Sequence, residues 1–320
     1  MRKSSIFHTF ILVRIFRNFF IPRPYGRGIK SGLIKNRKQF PAENRRKKFV
    51  VSVEINPAPN GDLQKNFREA ALTAPFVDVL NVTDSPMART RSASFVVAAR
   101  LQRHFQIDTI FNFTCRDRNL IGLKSDLLGA LILGTQNILC VTGDPATAGA
   151  KNIFEFPSNG LLQLLPKIES PTGEFFGGAV LNFFENLTAV EKIVARKKAA
   201  GARFLISQPV FTAGRIKLLQ RWQTEFGVPI LAGILPIKSF RAAKFMNEKI
   251  PGITVPADDL RKMEKMTDDK IFEFQWRKAA EIFHAARAAN LAGAHFMPMG
   301  RGDKIAEIVG NFDDKISSNF

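Results

Sequence analysis

Short runs of β-branched and aromatic residues alternate along this chain with longer stretches whose apolar positions recur every three to four residues. The runs at 49–55 (FVVSVEI), 77–83 (VDVLNVT), 108–115 (DTIFNFTC), 136–143 (QNILCVTG), 176–182 (FGGAVLN), 203–208 (RFLISQ), 229–235 (PILAGIL) and 293–299 (GAHFMPM) read as strands. Between the first two, NGDLQKNFREAALTA carries its apolar side chains at helical spacing. Asn119 before LIGLKSDLLGALILG and Gly134 within its last residues are start and stop signals for another helix. Alternating β and α units of this length imply parallel strands joined by right-handed crossovers. Eight of them predict a closed (β/α)₈ TIM barrel in a single domain. A doubly wound open sheet is the competitor, but no Gly-x-Gly-x-x-Gly follows the first strand, where a dinucleotide-binding sheet carries it.

Several of these apolar runs stop abruptly in polar clusters. The first ends in Glu54, the second in Thr83-Asp84-Ser85, the third in the span from Asn112 to Asp117, and the fourth in Thr142-Gly143-Asp144. The fifth ends in Asn182, the sixth in Gln208, and the eighth runs on to Arg301. Barrel proteins gather their chemistry at the C-terminal ends of the strands, so these residues are expected to share one rim. A polar residue at a strand end is common even where it is inert; the convergence of so many on one face is what points to a site.

Composition changes this picture in one place. The chain has 320 residues, 45% of them hydrophobic, enough for one large core. Cys115 and Cys140 are too few for a disulfide framework and sit inside apolar runs, where reduced thiols pack as small hydrophobes in a reducing compartment. The net charge of +19 would suggest nucleic acid, but residues 1–48 hold 14 Lys or Arg against the single acid Glu43. The remainder has an ordinary charge balance, so no nucleic-acid partner is expected for the barrel. The segment opens with IFHTFILVRIFRNFFI, interrupted by Arg14 and Arg17 and too short to span a bilayer of ~30 Å. Residues 1–48 therefore read as a basic extension, disordered or similar in composition to an organelle transit peptide, ahead of a barrel at 49–320. The barrel is expected to be cytoplasmic, with organelle targeting by the extension as the alternative.

VVSVEI, NVTDSPMAR, NFTCRDRN, SDLLGA, VTGDP, SQPVF, AGILPI and HFMPMGR occur in order from about Phe49 to Phe312. Together they resemble the methylenetetrahydrofolate reductase family, most of all the reductase module that follows a homocysteine S-methyltransferase domain in bifunctional proteins. No methyltransferase sequence accompanies it here. The resemblance implies FAD-dependent reduction of 5,10-methylenetetrahydrofolate to 5-methyltetrahydrofolate by ping-pong hydride transfer. NAD(P)H is the implied donor, with a partner protein as the alternative electron source in some relatives. A homo-oligomer and the absence of a metal are further expectations.

By the same resemblance Glu54 matches the proton donor and Asp144 an aspartate beside the flavin and the pterin. Thr83, Asn112, Thr114, Thr142, Gly143, Asp144, Asn182 and Lys197 match cofactor-binding positions, and Gln208, Phe240 and Arg301 match substrate-binding ones. Each has a plainer reading. Glu54 could be a salt-bridged rim carboxylate, Asp144 a helix cap, Lys197 a solvated helix residue between Arg196 and Lys198, Arg301 the partner of a neighbouring loop, and Phe240 a core ring. Two departures leave the FAD ribose and adenine contacts open: Asn112 stands where the widely studied branch has histidine, and NFFENL (182–187) replaces a Pro-containing loop. Two other readings are a different flavin barrel, similar to proline dehydrogenase, and a non-catalytic barrel tethered by its basic segment. The first would call for paired arginines to clamp a carboxylate, and the second would have no reason to keep a flavin.

Overall fold

The computed structural model describes residues 49–146, 149–183 and 186–317. The expectations for residues 1–48, and part of the NFFENL loop, lie outside the described residues. Eight strands, β1 (Val50–Ile55), β2 (Val79–Val82), β3 (Asp108–Thr114), β4 (Asn137–Val141), β5 (Phe176–Leu181), β6 (Phe204–Pro209), β7 (Ile230–Ile234) and β8 (Gly293–Phe296), pair in parallel and in chain order. Pairing of β8 with β1 closes the barrel. The fold is the TIM barrel that the alternation predicts.

Helices α1 (Gln64–Thr73), α2 (Ser94–Phe105), α3 (Leu120–Ile132), α4 (Ser158–Leu164), α5 (Leu187–Ala199) and α6 (Ala213–Phe226) each return the chain from the end of one strand to the start of the next. Three helices fill the gap between β7 and β8: α7 (Phe240–Lys249), α8 (Ala257–Met263) and α9 (Asp268–Ala288). Helix α10 (Gly302–Ser317) follows β8. The start signal at Asn119 acts as the sequence suggests: it accepts a hydrogen bond from the Gly122 amide at 2.9 Å, satisfying a backbone donor that the first helical turn leaves free, and the structure adds a like cap at Ser239, which accepts from Ala242 at 3.2 Å.

Period-two alternation divides the strands into two faces. Val51, Val53, Leu80, Val82, Phe111, Phe113, Ile138 and Cys140 face the helices and belong to the main core. Val50, Val79, Ile110, Leu139, Phe176, Phe204, Ile206 and Leu231 fill the lumen. Phe176 and Phe204 stack there with centroids 5.7 Å apart. The lower lumen is thus a packed plug, and the polar side chains that follow on the same faces lie above it. Both cysteines are free and buried, and burial pushes their thiols up, Cys115 to about 11. They are inert core residues.

A smaller cluster of Phe211, Ile237, Ala243, Val255, Met263, Ile271 and Phe274 packs α7, α8 and α9 together beyond the end of β7. No helix among the described residues is long and apolar enough to cross a membrane.

Candidate active site

Glu54 occupies the last lumen-facing position of β1, level with Asn81 on β2. Its Oε1 accepts a hydrogen bond from Asn56 Nδ2 at 3.2 Å, and Asn56 Oδ1 in turn accepts one from the Thr83 hydroxyl at 2.9 Å. Asn66 fixes this loop by donating to the Asn56 carbonyl at 2.7 Å and accepting from the Ala58 amide at 3.1 Å. The Glu54 side chain is 21% exposed. Burial nevertheless dominates its chemistry: it pushes the carboxyl from 4.5 up to about 7, and the Asn56 hydrogen bond offsets only part of that shift. The group therefore holds its proton near neutrality, which a salt-bridged rim carboxylate would not do.

Two asparagines deepen the cup. Asn81 is 1% exposed and neither its Oδ1 nor its Nδ2 has a partner; Asn112 Oδ1 is likewise buried and unpaired. An unsatisfied buried amide costs about 1–3 kcal/mol. Such groups persist where a ligand completes them.

The rim beside them is cross-linked. Asp84 Oδ2 accepts hydrogen bonds from the Thr114 amide at 2.9 Å, the Thr114 hydroxyl at 3.0 Å and Arg118 Nη1 at 2.8 Å. Arg118 also donates to Asp126 at 2.9 Å and lies 4.3 Å from the centre of the Phe113 ring. Arg116, only 2% exposed, donates from Nη1 to the carbonyls of Ser85 and Asp144, each at 3.2 Å. The Asp144 carboxylate accepts from the Met87 amide at 2.8 Å. The polar clusters that end β2, β3 and β4 are thereby one unit, with Arg116 bridging the first and last. Strain gathers here too: Ser85, Met87 and Ala88 adopt φ of 45°, 56° and 55°, a region non-glycine residues avoid.

Gly143 has φ +90°, and a Cβ there would lie 3.1 Å from the side chains of Thr114 and Arg116. The glycine keeps the surface between these two residues open. Thr142, exposed, reaches Ser158 Oγ at 3.4 Å.

On the opposite rim Gln208 is already engaged. Its Oε1 accepts from the Phe183 amide at 2.9 Å, and its Nε2 donates to the Pro251 carbonyl at 3.0 Å. Asn182, half-buried, precedes Phe183 at the end of β5.

Three expected residues stand apart from this cup. Lys197 donates from Nζ to the Val180 carbonyl, with Cys140 as its electrostatic neighbour, and burial lowers it to about 8. Because Cys140 faces the helices, this ammonium lies in the layer between sheet and helices. Phe240 opens α7 and packs on the small helical cluster. Arg301 forms a two-pronged pair with Asp303, in the first turn of α10 and not on a neighbouring loop, at 2.9 and 2.6 Å, and lies 4.5 Å from the centre of the Phe272 ring.

Sequence reasoning passes over Ser52, Asn81, Arg118 and His295 as site residues, and places Arg116 on the rim only as part of the span from Asn112 to Asp117. Ser52 and Asn81 carried a usable signal, since each is a polar residue on the alternate, lumen-facing positions of an apolar strand. The bridging role of Arg116 leaves no signal, because the Ser85 and Asp144 carbonyls it joins come from two other loops.

A (β/α)₈ barrel with a carboxyl of raised pKa, orphaned amides and a rim opened by Gly143 at the C-terminal ends of its strands belongs to the class of barrels that bind and transform small molecules there. A family model described as "Methylenetetrahydrofolate reductase" matches residues 39–313. The chain belongs to the methylenetetrahydrofolate reductase family. It is 25% identical over 202 residues to "Methylenetetrahydrofolate reductase (NADH) 1" of Zea mays, covering 55% of this chain and 34% of that protein. It is 23% identical over 212 residues to "Methylenetetrahydrofolate reductase 2" of Schizosaccharomyces pombe, covering 59% of this chain and 32% of that one. The matches thus span about a third of the length of these relatives. Among solved structures, an uncharacterized protein from Clostridium thermocellum that binds two copies of 5-methyl-5,6,7,8-tetrahydrofolic acid superposes with a TM-score of 0.61 at 13% identity, covering 83% of this chain and 95% of that one. A likeness at that identity concerns the fold alone.

Proposed function

We propose that the chain reduces 5,10-methylenetetrahydrofolate to 5-methyltetrahydrofolate with FAD as cofactor and NAD(P)H, or a partner protein, as electron donor in a ping-pong cycle. The observation that carries this reading is Glu54, a carboxyl at the C-terminal end of β1 whose burial holds its proton up to about pH 7. The substrate needs such a group. Its methylene carbon is tied to two nitrogens in a closed ring, and it accepts a hydride only after N10 takes a proton and its bond to the methylene carbon breaks, leaving an iminium at N5. Glu54 supplies that proton, and Asn56 keeps the carboxyl oriented from the other side.

The cup fits a flavin. The orphaned amide of Asn81 and the unpaired Oδ1 of Asn112 offer a donor and acceptors with no protein partner, and the open surface at Gly143 admits close approach of a planar ring. Thr83, Thr114, Thr142 and Asp144 are the further residues that would hold it. When bound, FAD supplies two-electron hydride transfer, which asks the protein for orientation and electrostatics rather than a nucleophile. The Asp144 side chain is held at the rim by the Met87 amide, and Arg116 fixes the backbone that carries it. Release of Gln208 from Phe183 and Pro251 would free an amide suited to the donor and acceptor edge of a pterin.

Glu54→Gln tests the reading. The variant should retain FAD and its reduction by the donor, while the folate half-reaction slows by ~10²–10⁴. Stopped-flow measurement of the two half-reactions separates them; an unimpaired folate step would remove Glu54 from the mechanism and this function with it.

A further inference from the structure

Helix α3 is apolar on both of its sides. A barrel helix buries one stripe and presents charge to water on the other, as α5 and α6 do with exposed Lys192, Arg196, Lys217 and Arg221. In α3, Leu123, Leu127, Ala130 and Leu131 are buried in the main core. On the opposite side Ile121, Leu128 and Ile132 are 79%, 40% and 74% exposed, and Leu133, just beyond the helix, is 47% exposed. Four of the twelve large apolar side chains exposed among the described residues thus gather on one helix and its cap, a cluster and not scatter. Positions 121, 125, 128 and 132 form one face, with exposed Ser125 among the three large side chains. The helix has two charges, Lys124 and Asp126, and Asp126 is turned to Arg118. We propose that this stripe is the seat of a two-fold dimer, in which α3 packs antiparallel against α3 of a second copy of the chain. The inference concerns the outside of the barrel and does not rest on the proposed chemistry.

The stripe is complementary to itself. When the helix is turned end for end about an axis level with Asp126 and Leu127, Ile121 falls opposite Ile132 of the second copy, and Leu128 opposite Ser125, a large side chain against a small one. Gly129 keeps the face low beside Ser125: a Cβ there would meet only Phe95 of α2 within contact range, at 3.7 Å. The two helix axes can then approach to about 8–10 Å, the spacing of packed helices. A different protein would need a matching stripe of its own, whereas a second copy carries one by symmetry.

Charge selects the antiparallel order. Lys124, exposed in the first half of α3, lies on the same side of the stripe as Leu128. Its stem would run along Leu128 of the second copy and carry the ammonium toward the negative C-terminal end of that helix. The two helix dipoles oppose each other in this order and would align like ends in a parallel one. A helix face ~20 Å long and ~10 Å wide is smaller than the ~800 Å² per partner that standard interfaces bury. The dimer is therefore expected to be reversible, with a dissociation constant in the micromolar range.

The test is sedimentation of the full chain over a range of concentrations, with a charge exchange across the axis. Wild type should reach the mass of two chains and dissociate on dilution. Ile121→Lys alone, or Ile132→Glu alone, should weaken the dimer by about a hundredfold or more, since each substitution counts twice across the axis and leaves a charge unpaired. In Ile121→Lys/Ile132→Glu the new charges meet with opposite sign, and the dimer should return. Within one chain these positions are about 16 Å apart along the helix, so the rescue reports a contact between copies. Both residues are largely exposed, so the variants should keep the wild-type far-UV spectrum and melting temperature. A chain that stays monomeric at ~100 µM, well above a micromolar dissociation constant, overturns the proposal and leaves the stripe to a different protein. A dimer that survives either single substitution places the interface elsewhere and overturns it too, as does a double variant that remains monomeric.

Discussion

Glu54 and His295 load the fold in opposite directions, and the signs can be worked out without any substrate. Glu54 is raised from 4.5 to about 7, so between those values the folded chain binds more protons than the unfolded one and stability falls as pH rises. His295 is lowered from 6.5 to about 4, so through that window the folded chain binds fewer protons and stability rises with pH. Glu54→Gln removes only the first slope. The variant should therefore gain stability relative to wild type between pH 5 and pH 8, by about 2 kcal/mol after allowing for partial exposure of the carboxyl. Urea denaturation at several pH values measures the difference. A difference that stays flat with pH would mean that Glu54 titrates as an ordinary surface acid. The same residue thus reports its environment twice, once in catalysis and once in stability.

At the scale of elements, the ends of β2, β3 and β4 behave as one polar unit because single side chains serve several loops. Asp84 is the centre: its Oδ2 accepts from Thr114 and Arg118, and the Asp84 and Arg118 side chains are 5% and 14% exposed. Removing one partner of a buried pair leaves the other charge uncompensated, which costs far more than the pair itself contributes. Asp84→Ala should lower the free energy of unfolding by about 3 kcal/mol and loosen the strained Ser85–Ala88 turn that holds Asp144. A chemical denaturation curve gives the first value, and amide hydrogen exchange at Met87 gives the second. Stability unchanged within 1 kcal/mol would show that solvent already screens the pair. Helix elements show the opposite situation. Lys197 is close to the end of α5 in sequence, yet its ammonium turns to the Val180 carbonyl, a choice that depends on how far the helix is rotated against the sheet.

At the scale of the molecule, the barrel depends on the seam where its first and last strands meet. Gly293 opens β8, and a Cβ at that position would come within 2.2 Å of the Val50 carbonyl oxygen and 3.1 Å of Leu231 Cγ. Neither can retreat easily, since the first is backbone in the closing ladder. Gly293→Ala should destabilise the chain by about 3 kcal/mol. Near-UV and far-UV signals should be lost together in one transition, because every strand relies on the closed ring. A wild-type melting temperature in the variant would reveal a seam with slack. This position is not marked in the sequence, where Gly293 looks like any residue between a helix and a strand.

The sequence by itself determined the eight strands, most of the helices between them and the rim on which the polar clusters sit. Those features rest on periods of two and 3.6 residues and on caps such as Asn119, all of which act within a few residues of chain. It also carried the order of motifs that marks the family. Only the tertiary structure decided that the stretch from Phe240 to Ala288 is three helices with their own small core, that Lys197, Phe240 and Arg301 stand apart from the cup, and that Ser52 meets His295 across 243 residues of chain. It alone set the acidity of Glu54. Acidity, tautomer and pairing follow from which atoms surround a group and how much water they exclude, and barrel closure assembles those surroundings from strands that no local window of the sequence contains.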